Sequence, residues 1–142
     1  MKRKYKIIFR IRKRRISKRR RPLTGFTIQK REQARIFVEN RISYFNKFYK
    51  FEINRIAIKN TSTRWGSCSS KRNLNFNYKI IYLKPVLADY LIVHELCHLK
   101  EFNHSKRFWA LVCKAMPDYA KINKELRRTP IKALKGRLDL SK

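Results

Sequence analysis

The chain has 142 residues, with 38 Lys and Arg against 9 Asp and Glu, so its formal net charge is +29. The length predicts one domain, and a hydrophobic content of 43% excludes a wholly disordered basic tail, because enough apolar side chains exist to form a core. No apolar run approaches the roughly 18 residues of a membrane span, and three widely spaced cysteines favour a reducing, cytoplasmic compartment. The charge predicts attraction to polyanions, nucleic acid among them, and says nothing about the fold.

The N-terminal segment, residues 1–21, contains 13 Lys and Arg and no acidic residue. Its first half alternates apolar and basic side chains from Tyr5 to Arg12, which predicts a short strand. Residues 13–21 form a basic run that predicts a solvated, mobile connector. We therefore divide the chain into this segment, a central domain over residues 22–130, and a basic C-terminal tail over residues 131–142.

The central domain begins with helical periodicity from Thr27, followed by strand-like segments over residues 53–58 and 74–80 with a polar hairpin or loop between them. Pro85 predicts the start of a second helix that runs to about Phe102. A helix, strands and then further helices indicate an α+β fold. The first helix is expected to bury a stripe of residues spaced by three and four: Ala34, Val38, Ile42, Phe45 and Tyr49.

Two shorter helices are predicted after the second one. Ser105 has the position of an N-cap, and Pro117 is expected to end the helix that Ser105 begins. Asp118 is expected to cap the last helix.

All three histidines of the chain lie within eleven residues, at His94, His98 and His104. His94 and His98 frame a His-Glu-x-x-His segment on the second predicted helix, where residues i and i+4 share one face and can point at one ion. Glu95 is rotated by about 100° from His94, which places it beside a metal-bound water rather than on the metal. This spacing predicts a metal site with a carboxyl group beside it.

His104 can reach the same ion only if the chain turns after about Phe102. Asn103 tolerates left-handed backbone angles and stands where that turn is needed. Three neutral imidazoles and a water then give the open tetrahedral site of a catalytic Zn²⁺. Cys97 is expected to lie in the core, whereas Cys68 approaches the site only if its loop folds over it.

Further motifs accompany the histidines in a fixed order. They are Thr63-Arg64-Trp65-Gly66-Ser67-Cys68-Ser69, Asn75-Phe76-Asn77, Asp89-Tyr90, the block from His94 to His104, Phe108-Trp109 and Pro117-Asp118-Tyr119. With these motifs, residues 26–128 resemble the YgjP-like metallopeptidase domain, a family related to the SprT-like zinc proteins and counted among the small zincins. The chain differs from many members in having Arg72 where they have glycine, and Asn73 is expected to take the positive-φ turn position instead.

The resemblance implies a zincin-like metallopeptidase domain over residues 22–130, with a short antiparallel sheet packed on the active-site helix and further helices around it. It also implies zinc held by His94, His98 and His104, with Glu95 as the catalytic acid/base. Our leading hypothesis is therefore zinc-dependent hydrolysis of peptide bonds in a peptide or protein substrate.

Substrate contacts are less constrained by the sequence. Arg64, Trp65 and Gly66 are candidates for an edge strand that pairs with an extended substrate, although Trp65 in the core is an equal alternative. The residue that stabilises the oxyanion is open among four candidates: Tyr78, Tyr82, Tyr90 and Arg64.

Two other classes of function fit the same sequence. One is a metal-dependent hydrolase of nucleotides or phosphoanhydrides, although the chain has only three glycines and no Gly-rich phosphate loop. The other is a nucleic-acid-binding module with a structural metal site, in which Lys and Arg contact phosphates. A combined possibility is a peptidase whose basic surface brings it to proteins on DNA or RNA.

Overall fold

A computed structural model describes residues 25–132 and residue 134. The strand and connector predicted for residues 1–21 lie outside the described residues, as does most of the tail predicted for residues 131–142. Within the described part, no helix is both long enough and apolar enough to cross a membrane. The elements in chain order are α1 (Gly25–Tyr49), β1 (Arg55–Lys59), β2 (Gly66–Cys68), β3 (Asn73–Asn77), a 3₁₀ helix (Tyr78–Tyr82), α2 (Pro85–Cys97), α3 (Lys106–Ala115) and α4 (Tyr119–Arg127).

Helix α1 buries the predicted stripe. Ala34, Val38 and Ile42 follow one another at intervals of four residues, lie on one face of the helix, and are buried in the core. Phe45 and Tyr49 continue the stripe as partly buried side chains packed against the same core. The helix predicted from Thr27 is confirmed, and it begins two residues earlier, at Gly25.

The sheet has three strands in the order β1-β3-β2, with β1 and β3 parallel and β2 and β3 antiparallel. The predicted α+β fold is confirmed, but the sheet is mixed and not antiparallel throughout. The chain reverses direction after β1 and again after β2, so that β3 runs in the direction of β1. Because β3 lies between the other two strands, it meets one neighbour in each orientation.

Strand β3 ends at Asn77, whereas the alternation of apolar residues predicts a strand that continues to Ile80. Asn77 is buried, and its side-chain oxygen accepts a hydrogen bond of 3.1 Å from the backbone N–H of Lys79. This contact caps the 3₁₀ helix and turns the chain out of the sheet. The Asn77 side-chain amide also donates to the carbonyl oxygen of Thr61 at 2.7 Å, while its backbone N–H donates to that of Trp65 at 2.7 Å. The loop before β2 is thereby held against the end of β3.

The turn between β2 and β3 has its left-handed residue at Arg72, with a φ of 56°. The expectation that Asn73 takes this position is wrong, because Asn73 is already the first residue of β3. The backbone N–H of Arg72 donates to the carbonyl oxygen of Ser69 at 2.8 Å, and that of Ser69 donates to the carbonyl oxygen of Asn73 at 3.0 Å. These bonds close the turn.

Helix α2 is the central helix of the described structure and is buried on nearly all sides, with contacts to α1, α3, α4 and β2. It begins at Pro85 as predicted but ends at Cys97, five residues before Phe102. The carbonyl oxygen of Cys97 accepts from the backbone N–H groups of both Lys100 and Glu101, at 3.1 and 3.0 Å, which winds the chain into a tight turn. The predicted left-handed residue at Asn103 is wrong, because among the described non-glycine residues only Lys50 and Arg72 have positive φ.

The last two helices begin where predicted, and the first of them also ends where predicted. The Ser105 side chain accepts from the backbone N–H of Phe108 at 3.4 Å and caps α3. Helix α3 ends at Ala115, directly before Met116 and Pro117. Asp118 occupies the N-cap position of α4, although its side chain makes no capping hydrogen bond.

Candidate active site

The imidazoles of His94, His98 and His104 converge at the C-terminal end of α2. Nε2 of His94 lies 3.2 Å from Nε2 of His98 and 3.0 Å from Nε2 of His104. One potential ligand atom from each residue lies within 4.8 Å of the others. Nitrogen ligands about 2.0–2.1 Å from a shared tetrahedral zinc ion are about 3.3 Å apart. The three side chains are therefore close enough to bind one ion together.

The Nδ1 atoms of two histidines have partners that orient the rings. Nδ1 of His98 lies 3.0 Å from the backbone carbonyl oxygen of Glu101. Because a carbonyl oxygen only accepts hydrogen bonds, Nδ1 of His98 carries the proton and Nε2 keeps its lone pair. Nδ1 of His94 lies 3.3 Å from the hydroxyl of Tyr90, one turn earlier on α2. Contacts of this kind fix the tautomer of a metal ligand and increase its basicity.

Burial keeps His94 and His98 in the neutral form that binds metals. The pKa of His94 is lowered to about 3, mainly by burial and further by the neighbouring His98 and His104, whose contributions are included in that value. Burial also lowers the pKa of His98. Both rings are therefore neutral at physiological pH, as metal coordination requires.

His104 comes from the segment between α2 and α3, and aromatic side chains hold its ring in place. It stacks on Trp109, with ring centroids 5.6 Å apart and an interplanar angle of 26°. Its edge meets Phe108 at 4.8 Å between centroids. Trp109 in turn stacks on Tyr119 of α4 at 4.9 Å. The third histidine is thus positioned by α3 and α4, and not only by the turn that delivers it.

Glu95 lies beside the histidines against the backbone of β2. Its side chain is buried, and Oε2 has no hydrogen-bond partner among the described residues. Gly66 packs so closely that a Cβ atom there would lie 2.7 Å from Oε1 of Glu95. Burial raises the pKa of Glu95 to about 8. A buried carboxyl group without a partner is costly, so its presence next to three imidazoles points to a role in chemistry.

Two cysteines lie near Glu95, and neither has the character of a ligand. Burial raises the pKa of Cys68 to about 11, and the carboxyl group of Glu95 raises it further. Cys68 is the last residue of β2, the strand that packs against Glu95 at Gly66, and its thiol stays protonated. Cys97 is buried in the core, as predicted.

An open cavity of about 470 Å³ extends from His94 and Glu95 between the loop before β2 and helix α4. It has the size of a small-ligand or side-chain pocket. Arg64, Trp65 and Gly66, the candidate substrate contacts, all line this cavity.

Only some of the four candidates for the oxyanion-stabilising residue line this cavity. Tyr90 and Arg64 line it, whereas Tyr78 and Tyr82 do not. Helix α4 adds Asn123 and Arg127 to the lining, which sequence reasoning missed. No spacing rule connects these two residues to the histidines, because α4 is brought to α2 by tertiary packing alone.

A short sheet beside a helix that bears the His-Glu-x-x-His segment is the arrangement of the small metallopeptidases. Two solved structures share this fold, both of metallopeptidase zymogens: abylysin of Pyrococcus abyssi and jannalysin of Methanocaldococcus jannaschii. Abylysin aligns with a TM-score of 0.58 at 21% identity, over 64% of this chain and 92% of its own. Jannalysin aligns with a TM-score of 0.56 at 21% identity, over 64% of this chain and 94% of its own.

The sequence itself gives the family. The YgjP-like metallopeptidase domain matches residues 5–129, so the chain belongs to the YgjP-like metallopeptidases and is an enzyme of the zinc metallopeptidase type. A comparison with curated proteins gives no match. Membership confirms the resemblance seen in the sequence and implies a metal ion.

Proposed function

We propose that this protein hydrolyses peptide bonds with a zinc ion held by His94, His98 and His104 and with Glu95 as the acid/base. The observation that carries the proposal is the convergence of three imidazoles beside a buried carboxyl group whose Oε2 has no partner among the described residues. Three nitrogen ligands that leave a coordination position open are the donor set of catalytic zinc, whereas structural zinc usually has four protein ligands. When bound, zinc would polarise the scissile carbonyl and make water acidic enough to attack near neutral pH.

The protein's own residues would supply the proton transfers. Oε2 of Glu95 would accept the proton of the attacking water and then donate it to the leaving amine, so that the carboxyl group returns to its starting state. Its burial against Gly66 fixes the carboxyl group in one place.

Strand β2 gives the substrate a backbone to pair with. It is the last strand in the order β1-β3-β2, so one of its edges has no strand partner among the described residues. An extended peptide added at that edge would pass Trp65 and Gly66 and bring its carbonyl group towards Glu95. The hydrogen bond from Asn77 to the carbonyl oxygen of Trp65 holds the start of this strand in position.

The test combines metal content with cleavage of a mixed peptide library. Glu95→Gln is expected to bind one zinc per chain and to lose at least about 100-fold in kcat/KM. His104→Ala is expected to lose the metal and the activity together. Glu101→Gln is the matched control, because Glu101 contacts His98 through its backbone oxygen and not through its carboxyl group. Absence of stoichiometric metal in the wild type, or turnover of nucleotides with no cleavage of peptides, would contradict the proposal.

A further inference from the structure

The cavity next to Glu95 has a positively charged wall on each side. Arg64 stands on the loop before β2, and Arg127 is the last residue of α4. Both side chains are exposed. Among the described residues, Glu95 is the only acidic one that lines this cavity, and its side chain is buried. A ligand in the cavity therefore meets two guanidinium groups and no competing surface carboxylate.

Neither of these arginines forms an ion pair with any residue that the structure describes. Arg35, Arg41 and Arg72 each pair with an acidic side chain, whereas Arg64 and Arg127 have no such pair within the described residues. The two arginines that face the cavity are thus available to a ligand. An unpaired guanidinium group offers a planar fork of N–H donors that matches a carboxylate in two parallel hydrogen bonds.

The position of Arg127 brings its charge close to the metal-binding end of the cavity. Arg127, His94 and Glu95 all line this one cavity. Tyr90, Leu91 and Leu126 also line the cavity and give it apolar surface. Such surface excludes water from an approaching ligand and strengthens its charge-assisted hydrogen bonds.

We infer that this cavity selects peptides that carry a carboxylate beside the scissile bond, with Arg127 and Arg64 as the residues that determine the specificity. The inference rests on the proposed peptidase function and adds the chemical class of its substrate. The carboxylate comes either from an Asp or Glu side chain or from the C-terminus of the substrate. The two sources present the same group to the arginines, and they are distinguished by experiment.

The decisive experiment is a cleavage profile of the zinc-loaded enzyme on a mixed peptide library, read by mass spectrometry. The wild type is expected to prefer cleavage sites with Asp or Glu, or with a free C-terminus, next to the cleaved bond. Arg127→Gln is expected to raise KM for these peptides roughly tenfold and to raise KM for neutral peptides much less. Arg128→Gln is the matched control, since Arg128 is an exposed neighbour that does not line the cavity.

Pairs of defined peptides show whether the recognised carboxylate belongs to an acidic side chain or to the C-terminus of the substrate. Exchange of Glu for Gln beside the cleaved bond abolishes the preference if the side chain is recognised, and amidation of the C-terminus abolishes it if the terminus is recognised. An equal loss of kcat on acidic and neutral peptides in Arg127→Gln would overturn the inference, because the guanidinium would then act on the reacting bond. A wild-type profile without any carboxylate preference would overturn it as well.

Measurements of peptide binding test recognition by Arg127 independently of the proposed peptidase activity. Fluorescein-labelled acidic peptides are titrated onto Glu95→Gln and onto Glu95→Gln/Arg127→Gln, with the amide versions as references. Tighter binding of the acidic peptides to the first variant only supports recognition by Arg127, even if the wild type cleaves nothing and the peptidase proposal fails. Equal binding of acidic and amide peptides by both variants contradicts recognition by Arg127 whatever the activity.

Discussion

The hydroxyl of Tyr90 lies 3.3 Å from Nδ1 of His94, one turn further along α2. Tyr90 is 1% exposed, so this hydroxyl has no access to bulk water that could replace the contact. A histidine that binds a metal through Nε2 carries its proton on Nδ1 and donates it to such a partner. Tyr90 is therefore placed to hold the first of the three proposed ligands in the correct tautomer and orientation.

Replacing Tyr90 by Phe is expected to weaken zinc binding by about 10- to 100-fold, because the ring is kept and only the partner of Nδ1 is lost. The affinity is measured by competition with a chromophoric chelator. Tyr44→Phe is the control, since Tyr44 is 60% exposed and lies on α1. Wild-type affinity in the Tyr90 variant would show that the hydroxyl does not support the ligand.

The features that could be predicted from the sequence are those that depend only on the spacing of residues close together in the chain. His94 and His98 share a face because any α-helix places residues i and i+4 together. The burial of Ala34 and Val38 follows from the same rule. Ser105 is predictable because an N-cap needs only a side-chain oxygen and the following backbone N–H groups.

The rest depends on contacts between distant residues. β3 ends at Asn77 because that side chain bonds both to Lys79 and to the loop at Thr61, and apolar alternation contains no information about either bond. Arg127 lines the cavity only because α4 packs on α2. The parallel pairing of β1 with β3 likewise depends on the order of strands in the sheet, which periodicity leaves undetermined.

A methyl group at position 66 is expected to displace the proposed catalytic carboxyl group. The Cβ atom of Gly66→Ala would lie 2.7 Å from Oε1 and 2.9 Å from Cγ of Glu95, so that side chain must move. A shift of about 1 Å in a reacting group costs about 100-fold in rate, and we expect kcat/KM to fall by about that factor while zinc content is unchanged. Both quantities are measured on the same preparation.

The matched substitution for Gly66→Ala is Gly25→Ala. A Cβ atom at Gly25 meets nothing within 4 Å, so this variant is expected to keep wild-type activity. Unchanged activity in Gly66→Ala would mean that Glu95 is not held by β2 as the structure indicates.

The ion pair between Arg41 and Asp89 is expected to stabilise the packing of α1 against α2, the active-site helix. Two hydrogen bonds of 2.7 Å join the guanidinium group to the two carboxylate oxygens, and both side chains are largely shielded from solvent. Asp89→Asn is expected to lower the free energy of unfolding by about 1–3 kcal/mol, because one of the two strong bonds is lost and the charge of Arg41 is left uncompensated. Urea denaturation measures the change.

Arg35→Ala provides the comparison for Asp89→Asn. Arg35 pairs with Glu32 and Glu39 on the exposed side of α1, at 3.4 and 4.0 Å. Exposed pairs contribute less than about 1 kcal/mol, so this variant is expected to unfold nearly as the wild type does. Equal losses in the two variants would show that the Arg41–Asp89 pair has no special role.

Glycine at position 72 is expected to stabilise the protein. Arg72 has a φ of 56°, which strains a residue with a Cβ atom and suits glycine. Arg72→Gly also removes an ion pair with Glu52, but both partners are more than half exposed, and such pairs contribute little. We expect a gain of about 0.5–1 kcal/mol in the free energy of unfolding, measured by urea denaturation.

Lys71→Gly is the control for Arg72→Gly, because Lys71 is one residue earlier and has no positive φ. This variant is expected to lose about 0.5 kcal/mol in the free energy of unfolding, because glycine there only increases the entropy of the unfolded chain. A loss at position 72 as large as that at position 71 would contradict the left-handed turn.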